Sequence, residues 1–330
     1  MSLPVLVAPD SFKGSFGAAE VAAAIAAGLR DAGREAIELP VGDGGEGTMD
    51  VFGGELHTAS VTDPLGRPVE ASFALLEDGR TAVVETAQAS GFALVAEEER
   101  DAYAASSRGT GELIAAAVEA GAEKVIVTVG GSATMDGGAG AVEALEGVEV
   151  ELDVLSDVRT PWEKAPSVFG PQKGADEATV KRLEQRLDEL AERAPRDPRG
   201  EPLTGAAGAL SGGLWAFCGA RLFPGAPYVL DAVGFDERMR ESAFVVTGEG
   251  KIDDQTLEGK IVGEVATRCR QGGVPCHAVV GKNAIEPFKA RILDLASIVE
   301  AGTEAELRQA GESLVASEKK GTGPFFSGSR

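Results

Sequence analysis

Three stretches of the 330-residue chain crowd carboxylates and hydroxyls between glycines: residues 42–48 (GDGGEGT), 130–138 (GGSATMDGG) and 248–253 (GEGKID). Glycine lets backbone N–H groups come close to an anion, and a following helix adds a favourable dipole. Residues 130–138 suit that use: Gly130, Gly131, Gly137 and Gly138 supply the backbone, and Ser132 and Thr134 can donate to phosphate oxygens. Asp136 can hold Mg²⁺ or orient a hydroxyl. Asp43 and Glu46, enclosed by three glycines and followed by Thr48, suit Mg²⁺ or a general base for a substrate hydroxyl. Gly248, Glu249, Gly250 and Asp253 have the same character.

Two further stretches supply the opposite charge. Lys13 stands in Asp10-Ser11-Phe12-Lys13-Gly14, and Arg108 in Ser106-Ser107-Arg108-Gly109-Thr110. One cation can neutralise the phosphates of ATP while the other grips a carboxylate bidentately. Fixed cations beside metal-binding acids are what phosphoryl transfer needs, because its catalysis is mostly positioning and charge stabilisation. Other chemistries lack their residues. There is no GxxxxGK[ST], no GxGxxG after the first strand, and no GxSxG. His57 and His277 are far apart in sequence, which disfavours a histidine metal site or triad.

These stretches need elements to hold them. Short apolar runs at 5–8, 36–41, 124–129, 243–247 and 276–280 each end in a Gly-, Asp- or Ser-rich loop. Such runs suit strands buried on both faces of a parallel sheet. Helical patterns lie between them. Val21, Ile25 and Leu29 share a face, with Ser15 as cap and Gly33 as stop; Leu113, Ile114, Ala117 and Val118 follow Thr110; residues 176–194 turn Leu183, Leu187 and Leu190 inward. The expected fold is α/β, with ligands at the carboxyl ends of the strands. Residues 61–95 differ, reading as two or three strands joined by turns at 64–68 and at Glu77-Asp78-Gly79. Two domains are expected: a Rossmann-like parallel-sheet domain from residues 1–60 with 240–330, and an inserted mixed α/β domain from 61–239.

Composition bounds the partners. A net charge of −22 disfavours nucleic acid and anionic membranes. Cys218, Cys269 and Cys276 form no disulfide framework, and no secretory or membrane-spanning segment is evident, so a cytoplasmic location is expected. Phe325 and Phe326 are expected to dock the C-terminal tail if it is ordered.

Taken in order, the segments APDSFKGS (8–15), GDGGEGT (42–48), DPLGRPV (63–69), ETAQASG (85–91), SSRGTGE (106–112), GGSATMDGGAG (130–140), VFGPQKGA (168–175) and TGEGKIDDQTLEGK (247–260) resemble the bacterial glycerate kinases of the glycerate 2-kinase type. The resemblance implies an ATP- and Mg²⁺-dependent kinase of D-glycerate yielding 2-phosphoglycerate, with the active site in a cleft between two α/β domains; it admits a homodimer. On that basis Lys13, Asp43 and Asp253 are the expected catalytic residues. Asp10, Ser11, Arg67, Ser107 and Arg108 are expected to bind substrate. Residues 130–138, with Gly248 and Gly250, are expected to hold the nucleotide, and Asp157 and Glu249 the metal. The stretch between Gly140 and Val168 is a few tens of residues shorter than the family pattern, and Met135 and Lys251 replace its more usual residues. The alternatives are a kinase of another small hydroxy or sugar acid, and a non-catalytic anion- or nucleotide-binding regulator.

Overall fold

The computed structural model describes residues 3–253, 256 and 260–319. Residues 254–255 and 257–259 of the TGEGKIDDQTLEGK segment, and the tail with Phe325 and Phe326, lie outside the described residues. The strands in chain order are β1 (Val5–Pro9), β2 (Ala36–Glu38), β3 (Glu55–Thr62), β4 (Pro68–Leu75), β5 (Thr81–Glu85), β6 (Lys124–Thr128), β7 (Glu151–Ser156), β8 (Arg221–Pro224), β9 (Phe244–Ile252), β10 (Cys276–Asn283) and β11 (Ser297–Glu300). The chain divides into two compact units, Met1–Asp43 with Ala226–Arg330, and Gly44–Gly225.

The first unit is built on a parallel sheet of order β11-β10-β9-β1-β2. β1 and the first halves of β9 and β10 are largely apolar because both faces are covered there. Leu6 and Ala8 of β1 enter one core with Val245, Ala278 and Val280, while Val5 and Val7 enter another with Val246 and Val279. The period of two between those sets is the pleat of the strand. Only the first three residues of the expected run 36–41 form strand β2. Pro40 follows shortly after and has no N–H to donate to a ladder, yet Leu39 and Val41 on either side still donate to the Val7 and Pro9 carbonyls. The helix Ala18–Asp31 lays Val21, Ile25 and Leu29 on the sheet. Its cap is not Ser15: Gly17 occupies that position, and Glu20 reaches back to the Gly17 N–H at 2.8 Å.

The second unit carries a mixed sheet of order β3-β4-β5-β6-β7-β8. Two antiparallel hairpins open it, β3 with β4 and β4 with β5, and the remaining pairs are parallel. The Asp-Gly turn reads correctly: Asp78 accepts from the N–H groups of Arg80 and Thr81 between β4 and β5. β3 belongs here because its full length pairs with β4, and the helical segment 226–239 contributes Leu230, Phe235 and Met239 to the first unit's core. The compact units therefore change over at 43/44 and 225/226, not at 60/61 and 239/240. The charged helix Glu177–Arg193 is capped by Asp176 and buries Leu183 and Leu187 around Trp162. Among the described residues no helix is long and apolar enough to cross a membrane.

Candidate active site

In the first unit the carboxyl ends of β1, β9 and β10 open into a cavity of about 410 Å³. The chain leaves β1 at Asp10 and makes a tight turn. Phe12 and Phe16 exchange backbone hydrogen bonds, and Gly14 takes the left-handed conformation, with φ +84°. This turn holds up Lys13, whose Nζ lies 3.1 Å from Asp43 Oδ2. Below it the Phe12 ring lies across glycines. A Cβ on Gly248 or Gly281 would sit 3.5 Å from that ring, and 2.3 and 2.6 Å from the carbonyl oxygens of Val279 and Gly250. The glycines of residues 248–250 thus serve close strand packing. They do not form the loop expected at 248–253, because β9 runs on to Ile252 and β10 to Asn283.

Asp10, Asp43 and Glu249 are all buried and line this cavity. Burial, then the negative charge of Asp43, holds the Asp10 carboxyl well above the usual range, against the pull of the Ser11 N–H at 2.6 Å and of Lys13. Burial likewise raises Glu249 to about 7. Asp43 and Asp253 add to that rise, while the Thr256 hydroxyl, donating at 2.7 Å, and Lys260 oppose it. Asp253 pairs with Lys251 at 2.8 Å. The structure therefore brings Asp10, Ser11, Lys13, Asp43, Glu249 and Gly250 together around one space. It adds Lys251, Lys260 and Lys282, which carried no role in the sequence.

The other expected site residues belong to the second unit, where most are engaged. Asp136 is buried and accepts from Ser107 N and Oγ, Gly138 N and Gly140 N at 2.8–3.2 Å. Ser107 Oγ in turn accepts from Ala141 N, so the pair ties the starts of helices Arg108–Glu119 and Ala139–Ala144 together. The Ser132 and Thr134 hydroxyls bond each other at 2.8 Å. In residues 130–138 the N–H groups of Ala133, Thr134, Gly137 and Gly138 are bonded within the unit. Arg108 pairs with Glu112 and Glu143, and Arg67 with Asp63 and Glu99 and the Leu94 carbonyl. Asp157 follows β7 and is half-buried.

Three features of this unit carry no signal in the sequence. Lys173 is buried, donates from Nζ to the Thr134 carbonyl at 2.7 Å, and lies 5.9 Å from the centre of the Phe92 ring. Burial pulls its pKa down to about 7, with Asp136 partly opposing. Ala207, Gly208 and Ala209 are all left-handed, at φ 51°, 69° and 65°. Gly208 packs against the Thr134 carbonyl, where a Cβ would come within 2.0 Å. Each alanine there costs about 1–2 kcal/mol, so packing on residues 134–138 must hold the strain. Glu85, also buried, accepts from Met49 N at 2.8 Å, and burial lifts it to about 7.

Fold and site together describe a two-unit α/β protein whose parallel sheet presents acids and lysines to a solvent-connected cavity, an arrangement suited to phosphorylated ligands. The sequence profile of the glycerate kinase family matches residues 5–150 and 146–320, and the chain belongs to that family. It is 39% identical to the glycerate kinase of Bacillus subtilis (strain 168) and 38% identical to the glycerate 2-kinase of Escherichia coli (strain K12); each alignment covers 84% of this chain and 85% of the relative. A crystal structure of a glycerate kinase 2 from Salmonella typhimurium LT2 matches at a TM-score of 0.85 and 32% identity, over 97% of this chain and 99% of that one. The two profile stretches meet at residues 146–150, in the connection between helix Ala139–Ala144 and β7, inside the segment expected to be shortened.

Proposed function

We propose that the chain transfers the terminal phosphoryl group of ATP to D-glycerate and yields 2-phosphoglycerate. The observation that carries this is the convergence of Lys13, Asp43, Asp10 and Glu249 on one cavity at the carboxyl ends of a parallel sheet, in a chain of this family. The name of the E. coli relative, glycerate 2-kinase, supports the 2-hydroxyl as acceptor.

In this reading Asp43 accepts the proton of the attacking hydroxyl. Its buried carboxylate is set by the Lys13 ammonium, 3.1 Å away, which also offsets charge on the transferring group. Burial beside Asp43 holds the Asp10 carboxyl well above the usual range, which lessens its repulsion of the acid substrate. Arg67 and Arg108 brace the second unit through their own ion pairs.

Mg²⁺ takes most of its ligands from phosphate and water and needs only one or two carboxylates. That matches the residues present: among the described residues no three acid, His or Cys side chains form a metal cage, while Glu249 is a buried carboxyl that a cation would hold ionised. When bound, Mg²⁺ supplies neutralisation of the phosphate oxygens. Glu249 is its proposed holder; Asp157 belongs to the other unit.

An ADP-release assay across D-glycerate, hydroxypyruvate, tartronate and small aldonates, followed by NMR of the product, tests the proposal. D-Glycerate is expected to be the best acceptor, with phosphorus on the 2-oxygen. Absence of ADP formation with D-glycerate would sink the activity, and a 3-phosphoglycerate spectrum would move the acceptor atom.

A further inference from the structure

Lys251 on β9 and Lys282 on β10 are register partners in the parallel ladder. Register partners share a face of the sheet, and like charges placed directly opposite repel. Both residues line the cavity described above, as do Lys13 and Lys260. Four of the chain's 31 basic side chains thus converge on about 410 Å³ in a protein of net charge −22. Among the described residues neither Lys260 nor Lys282 has an ion-pair partner. Lys251 has Asp253, and Lys13 has Asp43.

D-Glycerate is a three-carbon monoanion. It has neither the charge to use four ammonium groups nor the bulk to fill this space. A triphosphate has both: a row of oxygens carrying several negative charges, which lysines hold as point charges. The acids fall into place with it. Asp10, Asp43 and Glu249 lie in the same cavity, where a phosphate chain with its cation needs both signs of charge.

We propose that this cavity of the first unit is the seat of the nucleotide's phosphate chain, with Lys251 and Lys282 gripping adjacent phosphates and Lys260 adding to the grip. It rests on the kinase reading above, but assigns the phosphate-binding role to the β9–β10 lysines and not to residues 130–138. The turn 130–138 then serves as a rigid part of the second unit, consistent with its internally bonded N–H groups.

The test is equilibrium binding of the β,γ-imido analogue of ATP, and of inorganic tripolyphosphate, to the full chain by calorimetry, with Lys251→Ala, Lys282→Ala and the double variant. Each single substitution is expected to weaken analogue binding about tenfold and the double about 100-fold, an increment of about 1.4 kcal/mol per decade. Lys251→Arg with Lys282→Arg is expected to restore most of it. In steady state the double variant should raise KM for ATP while KM for D-glycerate stays within about twofold. Both side chains reach solvent, and their removal relieves a repulsion, so the thermal midpoint should not fall. Unchanged analogue binding in the double variant overturns the proposal. So does a rise in KM for D-glycerate alone, which would assign the two lysines to the acid and not to the phosphate chain. Should the wild type bind the analogue through these lysines yet phosphorylate no hydroxy acid, the assigned acceptor would fail while the phosphate site stood.

Discussion

Asp43 and Asp136 look alike in the sequence. Each stands in a glycine-rich stretch after an apolar run, and each has a hydroxyl residue close by. Folded, they part company. Asp136 is enclosed by four N–H and O–H donors of its own unit. Asp43 lines a cavity shared with two more buried acids and four lysines. A carboxylate saturated by neutral donors is an internal brace for the chain around it. A carboxylate that lines a cavity beside other acids and several ammonium groups stands where a ligand can reach it. Glycine plus acid at a strand end therefore names two physical outcomes, and only the partners decide between them.

Asparagine at both positions draws the contrast most sharply. Asp43→Asn removes the proposed proton acceptor and is expected to lower kcat by about 10²–10⁴-fold, with saturating ATP and D-glycerate and little change in thermal midpoint. Normal turnover in this variant would remove Asp43 from the chemistry.

Asp136→Asn is the converse. Its amide would turn N–H against N–H among donors that now share one carboxylate, and unmaking a buried charge's bonds costs about 3–5 kcal/mol. Urea denaturation should show that loss, while the protein that remains folded keeps its kcat within severalfold. A fully stable Asp136→Asn protein without activity would erase the distinction drawn between the two acids.

Much of this was legible beforehand, and what was not shares one cause. β1, β6, β9 and β10 could be read because strands buried on both faces are apolar at every position, and the 76–80 turn because Asp-Gly has few other uses. Lys13, Asp10, Asp43 and Glu249 could be picked out as candidates because acids and cations beside glycine at strand ends are unusual, and the fold gathers these four on one cavity. The continuation of β9 through Gly248–Ile252 could not, since glycine there answers to Phe12 and to Val279 on other segments. The Lys251–Lys282 pair exists only through a strand register. The saturation of Asp136 depends on Ser107, 29 positions earlier. Lys173 sat unremarked in VFGPQKGA, because a lysine in sequence is by default a surface residue.

Lys173 offers a third, smaller test. Folded, it releases its proton at about 7; unfolded, near the ordinary 10.5. Between those values the unfolded chain holds the extra proton, so this residue makes stability rise with pH across that window. Below about 7 both states are charged and the full cost of burying the ammonium is felt. The slope from one such group is at most about 1.4 kcal/mol per pH unit. Lys173→Met should flatten the rise, measured by denaturation at several pH values between neutral and mildly alkaline. An unaltered slope would mean that the ammonium is charged and well bonded when folded.

The smallest expected effect is at Arg108, and it bears on the same contrast. Its place beside Ser107 and its cation suggest a grip on the substrate carboxylate, yet its guanidinium is already divided between Glu112 and Glu143 at 3.0 Å each. Exposed pairs of this kind contribute little. If the second unit's polar groups serve one another, Arg108→Ala should leave KM for D-glycerate within about twofold and kcat unchanged. A large rise in KM for the acid, with KM for ATP unmoved, would instead show that Arg108 leaves its two glutamates to take the substrate. The second unit would then hold a binding residue whose ion pairs are only its resting state, and the line between reactive and self-satisfied charge would run through single side chains rather than between regions.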